Sequence, residues 1–159
     1  MILRPERECD LSGIRQVHIQ SFPTAAEADL VERLRTDGDA ILSLVAEETG
    51  QVAGHVLFSR MMSPPQALGL APVAVLPVFR RRGITASLIE MGLREAAAQD
   101  WKLVFVLGAP VYYGRFGFSA ARAAGFSSPY AGPHFMAHFL GAAEASGPAE
   151  YAPAFAGLK

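Results

Sequence analysis

Leu68-Gly69-Leu70-Ala71-Pro72-Val73-Ala74-Val75-Leu76-Pro77-Val78-Phe79-Arg80-Arg81-Arg82-Gly83-Ile84-Thr85-Ala86-Ser87-Leu88 is the stretch that decides the fold. Its first nine residues are nearly all apolar, which predicts a strand over Leu68–Leu76 covered on both faces. Pro72 lies inside that run. Proline has no N–H to give to a ladder, so the strand must be bulged there or lack a partner on one side. The run ends in a tight loop of three arginines and a glycine, and helical spacing then takes over. Leu88, Ile89, Gly92, Leu93 and Ala96 form one stripe of a helix expected from Arg82 to Gln99. A second apolar run, Leu103–Leu107, follows. Strand, helix and strand with short links make a βαβ unit with a right-handed crossover.

Outward from this unit the periods alternate. Met1–Arg4 reads as a short strand. Asp10 is placed to cap a helix that carries Leu11, Ile14 and Val17 and ends by Pro23. Leu30, Val31 and Leu34 share one face of a second helix that stops near Asp37-Gly38. Ala40–Glu47 and Val52–Ser59 read as strands joined through Glu48-Thr49-Gly50-Gln51. Phe135–Leu140 reads as a late strand, and Tyr151 and Phe155 as anchors of a packed tail. The expected class is α/β (α+β), with one domain over residues 1–159.

Bulk properties exclude several functions. A net charge of −1 supplies no basic field for nucleic acid. The apolar runs are too short to cross a bilayer. One cysteine, Cys9, cannot form an internal disulfide, which makes a cytoplasmic setting the expectation. The histidines show no metal-ligand spacing, so no metal is expected.

The arginine-glycine loop is the segment that can carry chemistry. The first N–H groups of a helix have no internal partner and the helix dipole is positive there, so an anion fits. Gly83 would let the backbone come close to a phosphate, and Arg80, Arg81 and Arg82 add charge. Neither G-x-G-x-x-G nor G-x-x-x-x-G-K-[ST] occurs in the chain, so the signatures of dehydrogenases and NTPases are missing.

Arg80-Arg81-Arg82-Gly83-Ile84-Thr85 resembles the [QR]-x-x-G-x-[GA] motif of the GNAT superfamily of N-acetyltransferases. Thr85 departs from it, standing where Gly or Ala is preferred; its hydroxyl could donate to a phosphate oxygen or its bulk could crowd one. Tyr113-Gly114-Arg115-Phe116-Gly117-Phe118 is similar to the second motif, Y-x-[KR]-x-G-F. The likeness covers most of the chain and is nearest to a bacterial subgroup labelled YhbS-like. It implies a mixed central sheet with splayed middle strands, flanked by helices.

It further implies acetyl-CoA as cosubstrate, with the pantetheine arm on the backbone of Val73, Ala74 and Val75. The pyrophosphate would lie on Arg80, Arg81, Arg82, Gly83, Ile84, Thr85 and Ala86. Val75 N–H would face the oxyanion, and Tyr113 would bind the cofactor and protonate the departing thiolate; Tyr112 would pack. The acceptor would be a small-molecule or peptide amine, and a homodimer is common in the family. His55 and Glu27 both stand as possible bases. A non-catalytic acyl-CoA-binding sensor or interaction module on the same fold is the alternative.

Overall fold

Ala71 and Pro72 are opposed by Leu57 alone, so two residues of one strand face one of the next. This bulge sits where Pro72 withholds its donor. It falls in β4 (Ala67–Val75), and the strand it bulges against is β3 (Gln51–Arg60). The structure, a computed structural model, describes residues 1–158.

Before β3 come β1 (Ile2–Pro5), α1 (Leu11–Ser21), α2 (Ala26–Thr36) and β2 (Ala40–Glu48). After β4 come α3 (Ile84–Ala98), β5 (Leu103–Leu107), α4 (Pro110–Gly114), α5 (Ala120–Ala123), β6 (Phe126–Ser127), β7 (Phe135–Phe139) and β8 (Gly147–Pro148). The main sheet runs β1-β2-β3-β4-β5-β7. Only the β4–β5 pair within it is parallel, as the βαβ reading requires, and the sheet is therefore mixed.

That parallel pairing is short. Ala67, Leu68 and Gly69 face Leu103, Val104 and Phe105, and no pair follows. From Leu70 and Val106 onward the two strands part. Helix α3 covers one face of the sheet, burying Ile84, Leu88, Ile89, Leu93 and Ala96 against Val56, Phe58, Leu70 and Val104. Helices α1 and α2 cover the other with Ile14, Val17, Leu30, Val31 and Leu34. Each such apolar side chain contributes about 1.5–3 kcal/mol when fully buried.

Three expectations change in detail. The β2–β3 strands run to Glu48 and Gln51, so the expected four-residue loop shrinks to Thr49-Gly50. Both residues have positive φ, 48° and 79°, which suits the tight hairpin twist. Asp10 precedes α1 but does not cap it through its side chain. Its carboxylate instead accepts from both terminal nitrogens of Arg4 and from the Arg7 N–H. The third helix begins at Ile84 rather than Arg82, because Arg81 and Gly83 both adopt left-handed backbone.

The tail folds back as expected. Phe155 joins the core beneath α1 and α2, and the Tyr151 ring packs against Gly69 through Cδ1 and Cε1. That is the last β4 residue still paired with β5. On the α3 side, Gly92 takes the edge of the Phe58 ring. A β-carbon at Gly92 would stand 2.1 Å from Phe58 Cε2. Gly92→Ala is therefore expected to destabilise the protein by about 1–3 kcal/mol through overpacking. A lowered urea midpoint with an unchanged slope would register it.

Candidate functional site

The Leu76 N–H donates to the Ala53 carbonyl, while Val75 lies opposite Gly54. In an antiparallel pair this makes Val75–Gly54 a non-hydrogen-bonded position. The N–H and C=O of Val75, and those of Val73 two residues earlier, therefore point away from β3. They face the side on which β5 has departed. Ala74 has the opposite parity, and its backbone groups are turned to His55. This revises the expectation for Ala74, whose main chain is engaged within the sheet.

The Val75 carbonyl has two donors, Arg80 Nε at 3.1 Å and Ser21 Oγ at 3.3 Å. Arg80 thus folds back to cap the end of β4. Arg80 also lines a cavity of about 270 Å³. Gly83, Ile84, Thr85 and Ala86 form the floor of this cavity at the start of α3. Ser87 is the first residue whose N–H returns to the loop, to Gly83 O at 3.0 Å. The N–H groups of Ile84, Thr85 and Ala86 precede the helix's own ladder, as the sequence indicated for an anion site.

Left-handed backbone at Arg81 (φ 66°) and Gly83 (φ 76°) turns the loop so that these groups converge. For an arginine this conformation costs roughly 1–2 kcal/mol. Beyond its own chain neighbours, a β-carbon at Gly83 would meet no atom within 4 Å among the described residues. Its need for glycine within the protein is therefore conformational.

Three residues complete the cavity that motif reading did not assign: Phe79, Tyr112 and Arg115. The Arg115 guanidinium lies 5.3 Å from the Tyr112 ring and 5.4 Å from Phe116. Tyr112 was expected to pack, and it does contact Phe116, but it also forms part of the cavity wall. Arg82 does not line the cavity. Its guanidinium rests over Phe79 at 5.3 Å. Val73, Ala74 and Tyr113 also lie outside the lining.

Tyr113 is nonetheless close by. Its ring lies against Gly108 just beyond β5 and meets Tyr112 edge-on at 5.2 Å. Burial pushes both tyrosine hydroxyls above their ordinary range, so both remain proton donors at neutral pH. Among the described residues, no group of three or more His, Cys, Asp or Glu is placed to hold a metal ion.

The family described as Acetyltransferase (GNAT) domain matches residues 3–121. The chain belongs to the GNAT acetyltransferase family. The uncharacterised N-acetyltransferase YjhQ of Escherichia coli K12 is 39% identical over 129 residues, covering 76% of this chain and 71% of YjhQ. The crystal structure of the E. coli GNAT N-acetyltransferase YhbS in complex with CoA superimposes with a TM-score of 0.89 at 35% identity. It covers 98% of this chain and 91% of its own. A GNAT acetyltransferase from Brucella melitensis in complex with acetyl-CoA gives a TM-score of 0.84 at 33% identity, covering 97% of each chain. The splayed mixed sheet is the shared GNAT architecture.

One buried polar chain has no counterpart in the motif reading. Glu6 accepts from Arg35 through Nε and Nη2, at 3.0 and 2.9 Å, and also from the Ser43 hydroxyl. Ser43 must then accept from His55 Nε2, 2.7 Å away. His55 Nδ1 is left bare and accepts from His18 Nε2 at 2.8 Å. This order fixes both tautomers and leaves His18 Nδ1 buried without a partner among the described residues. His55, one of the two possible bases, is fully buried and already committed at both nitrogens.

Burial pushes His18 down to about 4 and His55 well below its ordinary value. Half-buried His138 is lowered as well. A histidine lowered on folding stays neutral in the native state while its unfolded form gains a proton below 6.5. Its contribution to stability is complete above that pH and declines as pH falls toward 4. Asp10, held low by Arg4, acts only below the usual carboxylate value of 3.8. The urea midpoint should fall between pH 6.5 and 4, and His18→Phe should flatten that slope.

Proposed function

We propose that this chain is an acetyl-CoA-dependent N-acetyltransferase that moves an acetyl group from the CoA thioester directly to a primary amine. The observation that carries the reading is the join between the convergent α3 cradle and the opened side of β4. An anion on the free N–H groups of Ile84, Thr85 and Ala86 lies one loop away from the unpaired N–H groups of Val73 and Val75. A pyrophosphate joined to an extended amide-bearing arm has that combination of features. The CoA and acetyl-CoA complexes of the two similar enzymes support it.

The chain's own groups divide the work. Arg80, Arg81 and Arg115 supply charge to the phosphates, with Thr85 at the first helical turn. The backbone of Val73 and Val75 pairs with the arm, and Val75 N–H faces the oxygen on which charge develops. One such donor is worth about 3 kcal/mol. The thioester supplies an activated acetyl carbonyl. The amine nitrogen forms a bond to its carbon, the C–S bond breaks, and the sulfur takes a proton. Tyr113, kept protonated by its burial, donates that proton, and the proton that the nitrogen sheds as the amide forms passes through solvent to restore the tyrosine. An acceptor that arrives as an ammonium loses one proton to solvent before attack. The exposed thiol of Cys9 takes no part and suits a reducing cytoplasm.

Isothermal titration should show saturable acetyl-CoA binding, with Arg80→Ala weakening it about tenfold, the loss of one charged hydrogen-bonding partner. Tyr113→Phe should lower kcat about a hundredfold while acetyl-CoA affinity holds. Tyr112→Phe is the control. If Tyr112→Phe carries the loss instead, the proton donor is the tyrosine of the cavity wall.

A further inference from the structure

Beside the point where β4 and β5 part lies a second cavity of about 300 Å³, at the small end of the range for small-molecule sites. Leu70 and Ala71 line it from β4 just past the last paired residue, and Leu107 lines it from the end of β5. Tyr130, Tyr151 and Phe155 wall it from the C-terminal third. Tyr130 stands edge-on to Tyr151 with ring centres 5.7 Å apart, and Phe155 lies 5.0 Å from Tyr151.

Into this apolar and aromatic lining the first turn of α2 places a single charged side chain, Glu27. Glu27 Oε1 is buried and has no hydrogen-bond partner among the described residues. Other acids on the same side of the sheet are treated differently. Glu6 is held by Arg35, and Asp10 and Glu47 by Arg4. The neighbouring acids of α2, Asp29 and Glu32, share Arg15. A buried carboxylate oxygen without a donor is costly, and core packing gives no reason to keep one. Its relief is a cation with N–H groups, and nearby aromatic faces favour the same charge.

Building on the acetyltransferase reading, the geometry points to this cavity as the acceptor pocket. It selects a primary amine borne on a small apolar or aromatic body, with the ammonium on Glu27. The aromatic wall holds the body of the acceptor, and the strand gap leads from its nitrogen toward Val75. Glu27 is a specificity-determining residue here. An acceptor with a carboxylate beside its amine would set two anions together in a water-poor cavity and is rejected.

The test compares 2-phenylethylamine with phenylalanine, which differ by one carboxylate, and with a short peptide bearing a free N-terminus, following thiol release from acetyl-CoA. The expected kcat/KM for 2-phenylethylamine exceeds that for phenylalanine by about a hundredfold or more, as unpaired like charges demand. Glu27→Gln should raise KM for 2-phenylethylamine by about ten- to a hundredfold, the loss of a charged hydrogen bond. Acetyl-CoA affinity by calorimetry should not move, and thermal stability should not fall. Tyr130→Ala, at a partly exposed position, should raise the same KM independently of Glu27.

Comparable turnover of phenylalanine overturns the proposal. So does an unchanged amine KM in either variant, or a peptide acetylated in preference to both small amines. In each of these cases acetyl-CoA still binds and some amine is acetylated. Failure of acetyl-CoA to bind the native protein would instead remove the underlying acetyltransferase reading.

Discussion

The constraint on which the rest of the structure turns is that β4 and β5 pair over three residues and no more. A parallel pair inside a sheet ordinarily continues until one strand ends, because each unpaired buried backbone group is costly. Here the ladder stops at Gly69 and Phe105 while both strands run on. Pro72 contributes by removing a donor and bulging β4 against β3. The Tyr151 ring, seated on Gly69, fills the point of departure. The backbone left over on β4 is not abandoned: the Val75 carbonyl has Arg80 and Ser21, and the N–H groups of Val73 and Val75 face the opening. Two cavities border the stretch where the ladder is interrupted, one against Val75 and one against Leu70, Ala71 and Leu107.

The two cavities differ in chemistry for local reasons. At one, a helix begins without a side-chain cap, so its dipole and free N–H groups are the dominant features, and arginines gather there. At the other, the tail brings aromatic rings over the strands and α2 contributes one acid. The cavity at the start of α3 is therefore lined by arginines and helix N–H groups, while the one beneath the tail is apolar with a single acid.

The parts of this arrangement visible in the sequence were those set by neighbours in the chain. The arginine-glycine loop was legible because a helix start, a strand end and a left-handed glycine lie within a few residues. Pro72 announced the bulge for the same reason. What the sequence did not reveal was set by pairing and burial. The opposite parity of Ala74 relative to Val73 and Val75 depends on the register with β3. Arg82 turned onto Phe79 and Tyr112 turned toward the cavity, although spacing alone treated the three arginines alike and set Tyr112 aside. The tautomer-locked line from Arg35 to His18 joins β2, β3 and two helices, and no local signal foreshadows it. Glu27 was one acid among several in α2 until the fold showed which of them lacked an arginine.

Arg80 carries a consequence of another kind. A single side chain caps the end of β4 with Nε and also lines the cavity at the start of α3. Two equilibria therefore share one group. Whatever draws the guanidinium toward an anion alters its hold on the Val75 carbonyl, and whatever orders the strand end prepares the guanidinium for the anion. Linkage makes the coupling equal in both directions. Binding in the cavity at the start of α3 and the order of the end of β4 are then coupled through this one side chain, and a change at either is felt at the other.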